Sequence, residues 1–413
     1  MTAGQASRNL RVLHVTPLYA PAWQFGGPVR STHEITSGLV ARGHEVAVVT
    51  TSCGTPDEGS RDVVTRVIDG VTVSYCPLKQ GPFGLVSRAM REVAAVHAGR
   101  VDVAHVTGVW QPSVRGVYGD LNALGVPYVS SPRGALSPYS FRHGWAKKCL
   151  YFELFERRFA RGAATLHATA PLEEAELAQL LPNAPIRVIP NACDPSKWYP
   201  ESAAGASWRK RHGVSADEFV IAHVGRIHPK KNLDFLVEAV SRISAKRAWR
   251  LALHGPTAAK DLAYRDAVVR QLPAGRLVID DGAGGTAETR AAYCSADILV
   301  FPSLHENFGN VLVESLLCGT PVVTSPNVGA AAFFRGTDAV RIVALEPSDW
   351  GRELSDRIAM AQDARRRNPI TADVAAICSP SAVTMAIESM YCDILSRPQK
   401  SGSLTRRPSK HAL

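Results

Sequence analysis

Two carboxylates, Glu306 and Glu314, stand with seven residues between them in the stretch LVFPSLHENFGNVLVESLLCGTPVVTS, residues 299–325. Phe308-Gly309-Asn310 lies between them and opens an apolar segment with helical spacing, Val311, Leu312, Ser315 and Leu316. Backbone N–H groups at a helix start carry partial positive charge and favour an anion such as a phosphate. Gly309 lets the backbone come close to it. Carboxylates accept hydrogen bonds from sugar hydroxyls. A nucleotide-sugar, with a hydroxylated ring at each end of a diphosphate, matches two acids around one helix start. The alternative is a solvated loop acid at Glu306 and a surface helix acid at Glu314.

Four further groups stand where loops leave apolar runs. After Phe219–Val224 comes Gly225-Arg226-Ile227-His228-Pro229-Lys230-Lys231-Asn232. Arg226 offers a planar fork and Lys231 a compact charge, and both sit where strand gives way to helix, so they can converge on a diphosphate. Lys230 is a neighbouring cation with no role assigned. Gly26-Gly27 follows the run Leu10–Thr16 and precedes a helix expected over Ser31–Arg42. The pair lets backbone N–H groups meet a phosphate or a reacting oxygen, or makes a plain turn. His105 lies near the end of the run Val101–Thr107, and its bland reading is a satisfied core histidine. Arg133 follows the run Val126–Ser131. It stays protonated, so it binds an anion (a diphosphate, an acidic sugar or an acidic acceptor) or makes a salt bridge at a cleft rim.

These positions need a scaffold that brings loops together. Residues 299–325 read as strand, loop, helix and strand: Pro302 ends the first run, Gly319 suits a helix end, and Pro321 stops the helix before Val322-Val323. That is a unit of a parallel sheet, whose ligands bind at the carboxyl ends of the strands. Leu10–Thr51 opens the chain with a second unit of this kind, and Val63–Pro77 reads as a hairpin around Asp69-Gly70. Ser140–Arg161 reads as one amphipathic helix mixing aromatics with bases, suited to core packing or to a membrane surface. Asp194–Ser207 reads as the linker between two domains, with a short helix at Trp208–His212 after it. The expected organisation is residues 1–193, residues 194–380, a closing helix over 381–396 and a basic tail over 397–413.

Composition bounds the function. The chain has 413 residues, 46% hydrophobic and 20% charged, as packed domains do. It has neither an apolar run of transmembrane length nor a signal-peptide pattern, so a cytoplasmic protein is expected. The eight cysteines form no Cys-x2-Cys pair, so neither a zinc site nor a disulfide framework is expected. The net charge is +10, and Arg397, Lys400, Arg406, Arg407 and Lys410 place half of it in a tail without acids. That tail is a solubilising end or a contact for anionic lipid or nucleic acid.

The segment carrying Pro302, Ser303, Glu306, Phe308, Gly309, Glu314, Cys318, Gly319, Pro321 and Val322 resembles the Glu-x7-Glu signature of retaining glycosyltransferases of the family-4 type. Asn307 stands where those proteins more often have glycine. The resemblance extends to Gly26-Gly27, to Gly43-His44-Glu45-Val46 and to Gly225-Arg226 with Lys231-Asn232, and covers about residues 10–395. It implies a GT-B fold, two Rossmann-like doubly wound α/β domains facing across a cleft, with the acceptor on the first. The last helix would cross back to the first domain. It implies donor-site roles for Gly26, Gly27, Arg133, Arg226, Lys231, Glu306, Phe308, Gly309, Asn310 and Glu314. Arg226, Lys231, Glu306 and His105 would be its catalytic residues. Relatives often have histidine at the position of Arg133, and a second histidine at the position of Thr107. In relatives the strand end at Asp280-Asp281 packs on the nucleotide base, so these acids are candidates to select it.

The activity implied is transfer of a sugar from a nucleotide-diphosphate sugar to an acceptor hydroxyl, of hexosyltransferase type, with no metal and no cofactor. The partners expected are that donor, a saccharide or lipid-linked saccharide acceptor and, peripherally, an anionic membrane. The setting expected is cell-surface or exopolysaccharide assembly. The alternatives are a GT-B epimerase or hydrolase of nucleotide-sugars and a basic nucleic-acid-binding protein. No base-reading motif favours the last. A dehydrogenase lacks its Gly-x-Gly-x2-Gly after the first strand.

Overall fold

The computed structural model describes residues 9–81, 84–142, 144–273, 275–282, 285–360 and 370–397. The tail from residue 398 onward lies outside the described residues. The strands are β1 (Arg11–Val15), β2 (Glu45–Thr51), β3 (Val64–Ile68), β4 (Val71–Cys76), β5 (Lys79–Gly81), β6 (Gly84–Val86), β7 (Val103–Thr107) and β8 (Tyr128–Ser131). They continue with β9 (Thr165–Ala168), β10 (Ile186–Val188), β11 (Phe219–Val224), β12 (Trp249–His254), β13 (Leu277–Asp280), β14 (Ile298–Phe301), β15 (Val322–Thr324) and β16 (Val340–Ile342). Two large sheets result. One has the order β10-β9-β8-β7-β1-β2-β4-β3, the other β13-β12-β11-β14-β15-β16, and every pair in them is parallel except β3 with β4. These are the two Rossmann-like halves that the sequence implies.

Parallel strands are covered by helices on both faces, so they read as continuous apolar runs. All six residues of β11 are buried, as are all five of β7. Each fully buried Val, Leu or Ile contributes about 1.5–3 kcal/mol, so these central strands anchor the loops at their carboxyl ends. Each sheet separates two apolar layers. In the first half Leu13, Val106 and Leu166 face one layer, and Val12, Val48 and Val129 the other. In the second half the helix Asn310–Leu317 packs one layer through Leu312 and Leu316, and the helix Leu233–Ser241 packs the opposite one.

Several expected elements differ in extent. The first helix starts at Gly27 instead of Ser31, because Gly26 takes φ +77° and Pro28 suits the first turn. The segment expected as one helix over Ser140–Arg161 is broken: Pro138–Arg142, then Trp145–Tyr151 after Gly144 at φ +77°, a π-helical turn Phe152–Glu156, and Arg157–Gly162. The expected linker is shorter, since Ser202–Arg211 is helical. Its alanines favour a helix, and the fully buried Trp208 pins it to the second half by donating to Asp280 Oδ2 at 2.9 Å. The helix expected around Trp350–Arg365 is described over Pro347–Met360, and residues 361–365 lie outside the described residues.

The closing helix Pro380–Ser396 returns to the first half. Arg42 Nε donates to Glu388 Oε2 at 2.6 Å, Tyr391 is fully buried, and a Cβ on Gly38 would overlap Thr384. Gly38 is therefore small because two helices touch there.

Candidate active site

The carboxyl ends of both sheets face one another, and the loops singled out above meet between them. Lys231 follows β11 at the end of a single 3-10 turn, Pro229–Lys231. Its Nζ donates to Glu306 Oε1 at 2.8 Å, with 13% and 17% of the two side chains exposed. Glu306 is held from both sides of its backbone: its N–H donates to Asn327 O at 2.8 Å, and its carbonyl accepts from Gly329 N–H at 3.0 Å. Burial opposes the Glu306 charge, but Lys231 and Lys230 outweigh it and hold the carboxyl below its usual range. Lys230 is pushed down by burial and by the neighbouring Lys231 and Arg226, with Glu306 opposing. Arg226 is exposed at the same loop. Lys231 is thus bonded to the Glu306 carboxylate, and Lys230 supports its charge from nearby.

Gly309 caps the helix Asn310–Leu317 with φ +92°. A Cβ there would lie 2.8 Å from Val328 Cγ1 and 3.1 Å from the Phe301 ring, so only glycine fits both the conformation and the space. Phe308 puts its ring into the core. Glu314 lies on the same helix and accepts from Tyr293 Oη at 2.8 Å. Burial raises its pKa, opposed by the Tyr293 hydrogen bond and by Arg30. Glu306 and Glu314 are therefore unlike: one is ionised among lysines, the other is held by a phenol.

The first half contributes across the cleft. Gly27 begins the first helix, and a Cβ on it would lie 3.3 Å from Asn310 Nδ2. Asn310 Oδ1 accepts from Asn191 Nδ2 at 3.0 Å, and Asn191 Oδ1 accepts from Arg133 Nη1 at 2.5 Å. Gly26-Gly27, Arg133 and Asn310 thus form one line from one sheet to the other. Asn307, the departure from glycine, also crosses: its Nδ2 donates to Thr169 Oγ1 at 2.7 Å, and its side chain lies against Gly134. His305 Nε2 pairs with Glu176 Oε1 at 2.9 Å, and its ring stacks on Tyr139, which Lys230 also covers.

His105 does not join this line. It is fully buried in β7, with Nδ1 2.8 Å from Tyr391 Oη and Nε2 3.5 Å from His167 Nδ1. Its ring stacks on His14 with centroids 4.8 Å apart. Burial first, then His14, His167 and Arg133, hold its pKa well below the usual value, so it stays neutral. The structure places it behind Arg133, in the core of the first half. Asp280 is tied internally: Oδ2 takes Trp208 Nε1 and lies 3.0 Å from His254 Nδ1, while Oδ1 takes Gly282 N–H at 3.1 Å. That leaves little of Asp280 for reading a base.

Sequence reading passed over Asn191, Tyr293 and Glu34. Glu34 lies about two helical turns beyond Gly27, where helical phase alone gives no sign that Lys197 and Asp194 will come near it. Burial pushes its carboxyl up to about 7, with Lys197 opposing and Asp194 adding to the rise. Among the described residues no group of three or more His, Cys, Asp and Glu is arranged to hold a metal ion.

The comparisons with known proteins agree on what this scaffold is. Residues 26–192 match the glycosyl transferase 4-like domain, and residues 218–361 match the glycosyl transferases group 1 domain. A D-inositol 3-phosphate glycosyltransferase of Kineococcus radiotolerans is 30% identical over 76% of this chain and 76% of its own. One from Pseudarthrobacter chlorophenolicus is 28% identical over 90% of this chain and 92% of its own. Among solved structures, sucrose-phosphate synthase from Thermosynechococcus elongatus superposes with a TM-score of 0.74 at 19% identity, covering 94% of this chain and 99% of its own. Anabaena HepE, in complex with UDP and glucose, superposes with a TM-score of 0.71 at 17% identity, covering 93% of this chain and 100% of its own.

Proposed function

The chain belongs to the group 1 glycosyltransferases, with a glycosyl transferase 4-like first domain and the GT-B fold, and from that premise we propose that it moves a sugar from a nucleoside-diphosphate sugar to an acceptor hydroxyl with retention. The observation that carries this reading is the Lys231–Glu306 pair at the carboxyl end of the second sheet, one residue pair away from a glycine-capped helix start. Cleavage of the sugar–phosphate bond leaves negative charge on the diphosphate. Lys231, Arg226 and the N–H groups at Gly309 and Asn310 stabilise that charge as it develops, which is electrostatic catalysis. Glu306 takes a hydroxyl of the transferred sugar, and Glu314, oriented by Tyr293, takes the ribose hydroxyls. The protein's cations do the work that a metal ion would otherwise do.

Retention through two carboxylates would suggest a covalent intermediate. Glu306 is engaged with Lys231, so front-face attack by the acceptor within a short-lived ion pair is the step proposed. Trapping a glycosyl adduct on Glu306 would overturn it.

The acceptor is proposed to be a saccharide or lipid-linked saccharide in cell-surface or exopolysaccharide assembly, met at the cytoplasmic face of a membrane. Support comes from the segment over residues 145–162, along which Trp145, Lys147, Leu150, Leu154, Arg158 and Arg161 are all exposed. No helix among the described residues is long and apolar enough to cross a membrane.

The test is thermal stabilisation by a panel of nucleoside diphosphates and nucleotide-sugars, on the wild type and on a variant carrying Arg226→Ala and Lys231→Ala. A ligand well above its dissociation constant raises the melting temperature by mass action. A shift with one nucleoside diphosphate, lost in the double variant, is expected. No shift with any of them refutes the donor site. Turnover of the nucleotide-sugar with no acceptor present would favour an epimerase or hydrolase.

A further inference from the structure

Arg133 makes less use of its charge than any fork-shaped cation in this cleft should. Its Nη1 donates to Asn191, but Nε and Nη2 are closed off from solvent and have no partner among the described residues. The carboxylate that balances its charge, Glu173, is already committed. Glu173 Oε1 accepts from Gly134 N–H at 2.6 Å, and Oε2 accepts from Thr169 N–H at 2.7 Å and Thr169 Oγ1 at 3.0 Å. The rings of His14, His105 and His167 lie close enough for Arg133 to lower their pKa, after burial has done most of it. They are neutral and neither repel an anion nor supply one. Among the described residues His14 Nδ1 is also buried without a partner. The backbone accepts a left-handed φ of +54° at Arg133, uncommon for a non-glycine residue, and such strain collects at ligand sites.

The unfilled edge has a known use within this same molecule. On Arg66, Nε and Nη2 hold both oxygens of Asp57 at 2.9 and 2.6 Å. On Arg91 they hold both oxygens of Asp120 at 2.8 and 2.8 Å. A guanidinium edge of this shape takes a carboxylate or a phosphate through two parallel hydrogen bonds. On Arg133 the third donor, Nη1, leads through Asn191 to Asn310 and the glycine-capped helix start, which sets the guanidinium beside the cleft.

We infer that Arg133 uses its Nε–Nη2 edge to hold an oxyanion carried on the saccharide, a carboxylate or a phosphate of the transferred sugar or of the acceptor, so that the enzyme selects acidic over neutral sugars. The inference rests on the sugar-transfer reading of the cleft and adds the substrate's charge to it. Hydroxyls would fill the edge singly; only an oxyanion matches both donors and the permanent charge together.

The test uses the full chain with the nucleoside diphosphate that stabilises it. One arm titrates that nucleotide's glucose and glucuronate derivatives. The other titrates glucose, glucuronate and glucose 6-phosphate with the nucleoside diphosphate saturating. The two arms separate a donor-borne from an acceptor-borne oxyanion, and the second also separates carboxylate from phosphate. The wild type is expected to prefer an acidic ligand by roughly tenfold or more in one arm. Arg133→Gln removes that preference and leaves affinity for the nucleoside diphosphate unchanged. Arg133→Lys, which keeps the charge but not the fork, retains the fold and loses most of the preference. Equal binding of acidic and neutral ligands by the wild type in both arms overturns the inference. Weakened binding of the nucleoside diphosphate itself in Arg133→Gln and Arg133→Lys also overturns it, since Arg133 would then serve the diphosphate. Failure of any nucleotide to bind the wild type is a different result and refutes the donor site first.

Discussion

Glu306→Gln should tighten the binding of nucleoside diphosphate while impairing sugar transfer. Lys231 spends its charge on Glu306 at 2.8 Å, and a diphosphate must compete for it. Breaking a fully buried pair by removing one partner costs about 3–5 kcal/mol. With 13% and 17% of the two side chains exposed, solvent reduces this to roughly 2–3 kcal/mol. Lys231→Met leaves Glu306 buried with Lys230 and His305 to hold its charge, so its carboxyl pKa rises and the second half loses stability by that amount. For a domain of this size the melting temperature falls by roughly 4–12 °C. Glu306→Gln is milder, since an amide needs no counter-charge, and it frees Lys231 for the diphosphate. If half of the pair's energy is recovered on binding, affinity rises by about tenfold, each tenfold being about 1.4 kcal/mol. Calorimetric titration with the nucleoside diphosphate, together with melting curves of both single variants and the double variant, reads all of these quantities. Strict additivity of the two stability losses, or weaker nucleotide binding by Glu306→Gln, would refute the reasoning. The pair also fixes a pH trend. A carboxyl depressed in the folded state contributes stability above its unfolded pKa, and this is lost as pH falls through the lower folded value, so the Lys231–Glu306 contribution fades only below the usual carboxylate range.

Glu34 has the opposite sign. Its folded pKa of about 7 lies above the unfolded value, so the folded state binds the extra proton and stability falls as pH rises between the two. Glu34→Gln should flatten that slope and raise the melting temperature at pH 8, measured by scanning from pH 5 to 8; an unchanged profile would count against burial as the cause. Gly255 sits where β12 leaves the sheet at φ +140°, and a Cβ there would overlap the Gly225 carbonyl oxygen. Gly255→Ala should cost about 2–4 kcal/mol and lower the melting temperature by roughly 5–15 °C, whereas a variant as stable as the wild type would show that the loop relaxes freely. Leu150→Asp with Leu154→Asp, in the exposed basic segment, should abolish flotation with anionic vesicles while leaving the fold intact. Equal flotation of wild type and variant would remove that segment from the membrane proposal.

Much of the scaffold can be read from local pattern. The runs at Leu13–Val15, Val103–Thr107, Phe219–Val224 and Leu299–Phe301 are apolar because both faces of a parallel sheet are covered, and this leaves a signal inside a few residues. The glycine cap at Gly309, the loop of Lys231 and the position of Glu306 follow from the same strand–loop–helix grammar. Ser140–Arg161 shows where that grammar stops: its apolar spacing is helical throughout, but Gly144 in a left-handed conformation and the π turn at Phe152–Glu156 re-aim the chain over the first half.

The sequence by itself determined the two sheets, the loops at their carboxyl ends and the residue types those loops carry, because strand and helix periods and turn chemistry act between near neighbours. Only the tertiary structure decided which of those residues are charged, paired or spare. Distant elements brought Tyr391 and His167 onto His105 and made it a neutral core residue. They buried Glu34 beside Lys197 and Asp194 and spent Asp280 on Trp208. They also enclosed Arg133 with one edge unfilled among the described residues. Burial and long-range contact set the cost of a charge and the supply of partners, and neither is written in the spacing of residues along the chain.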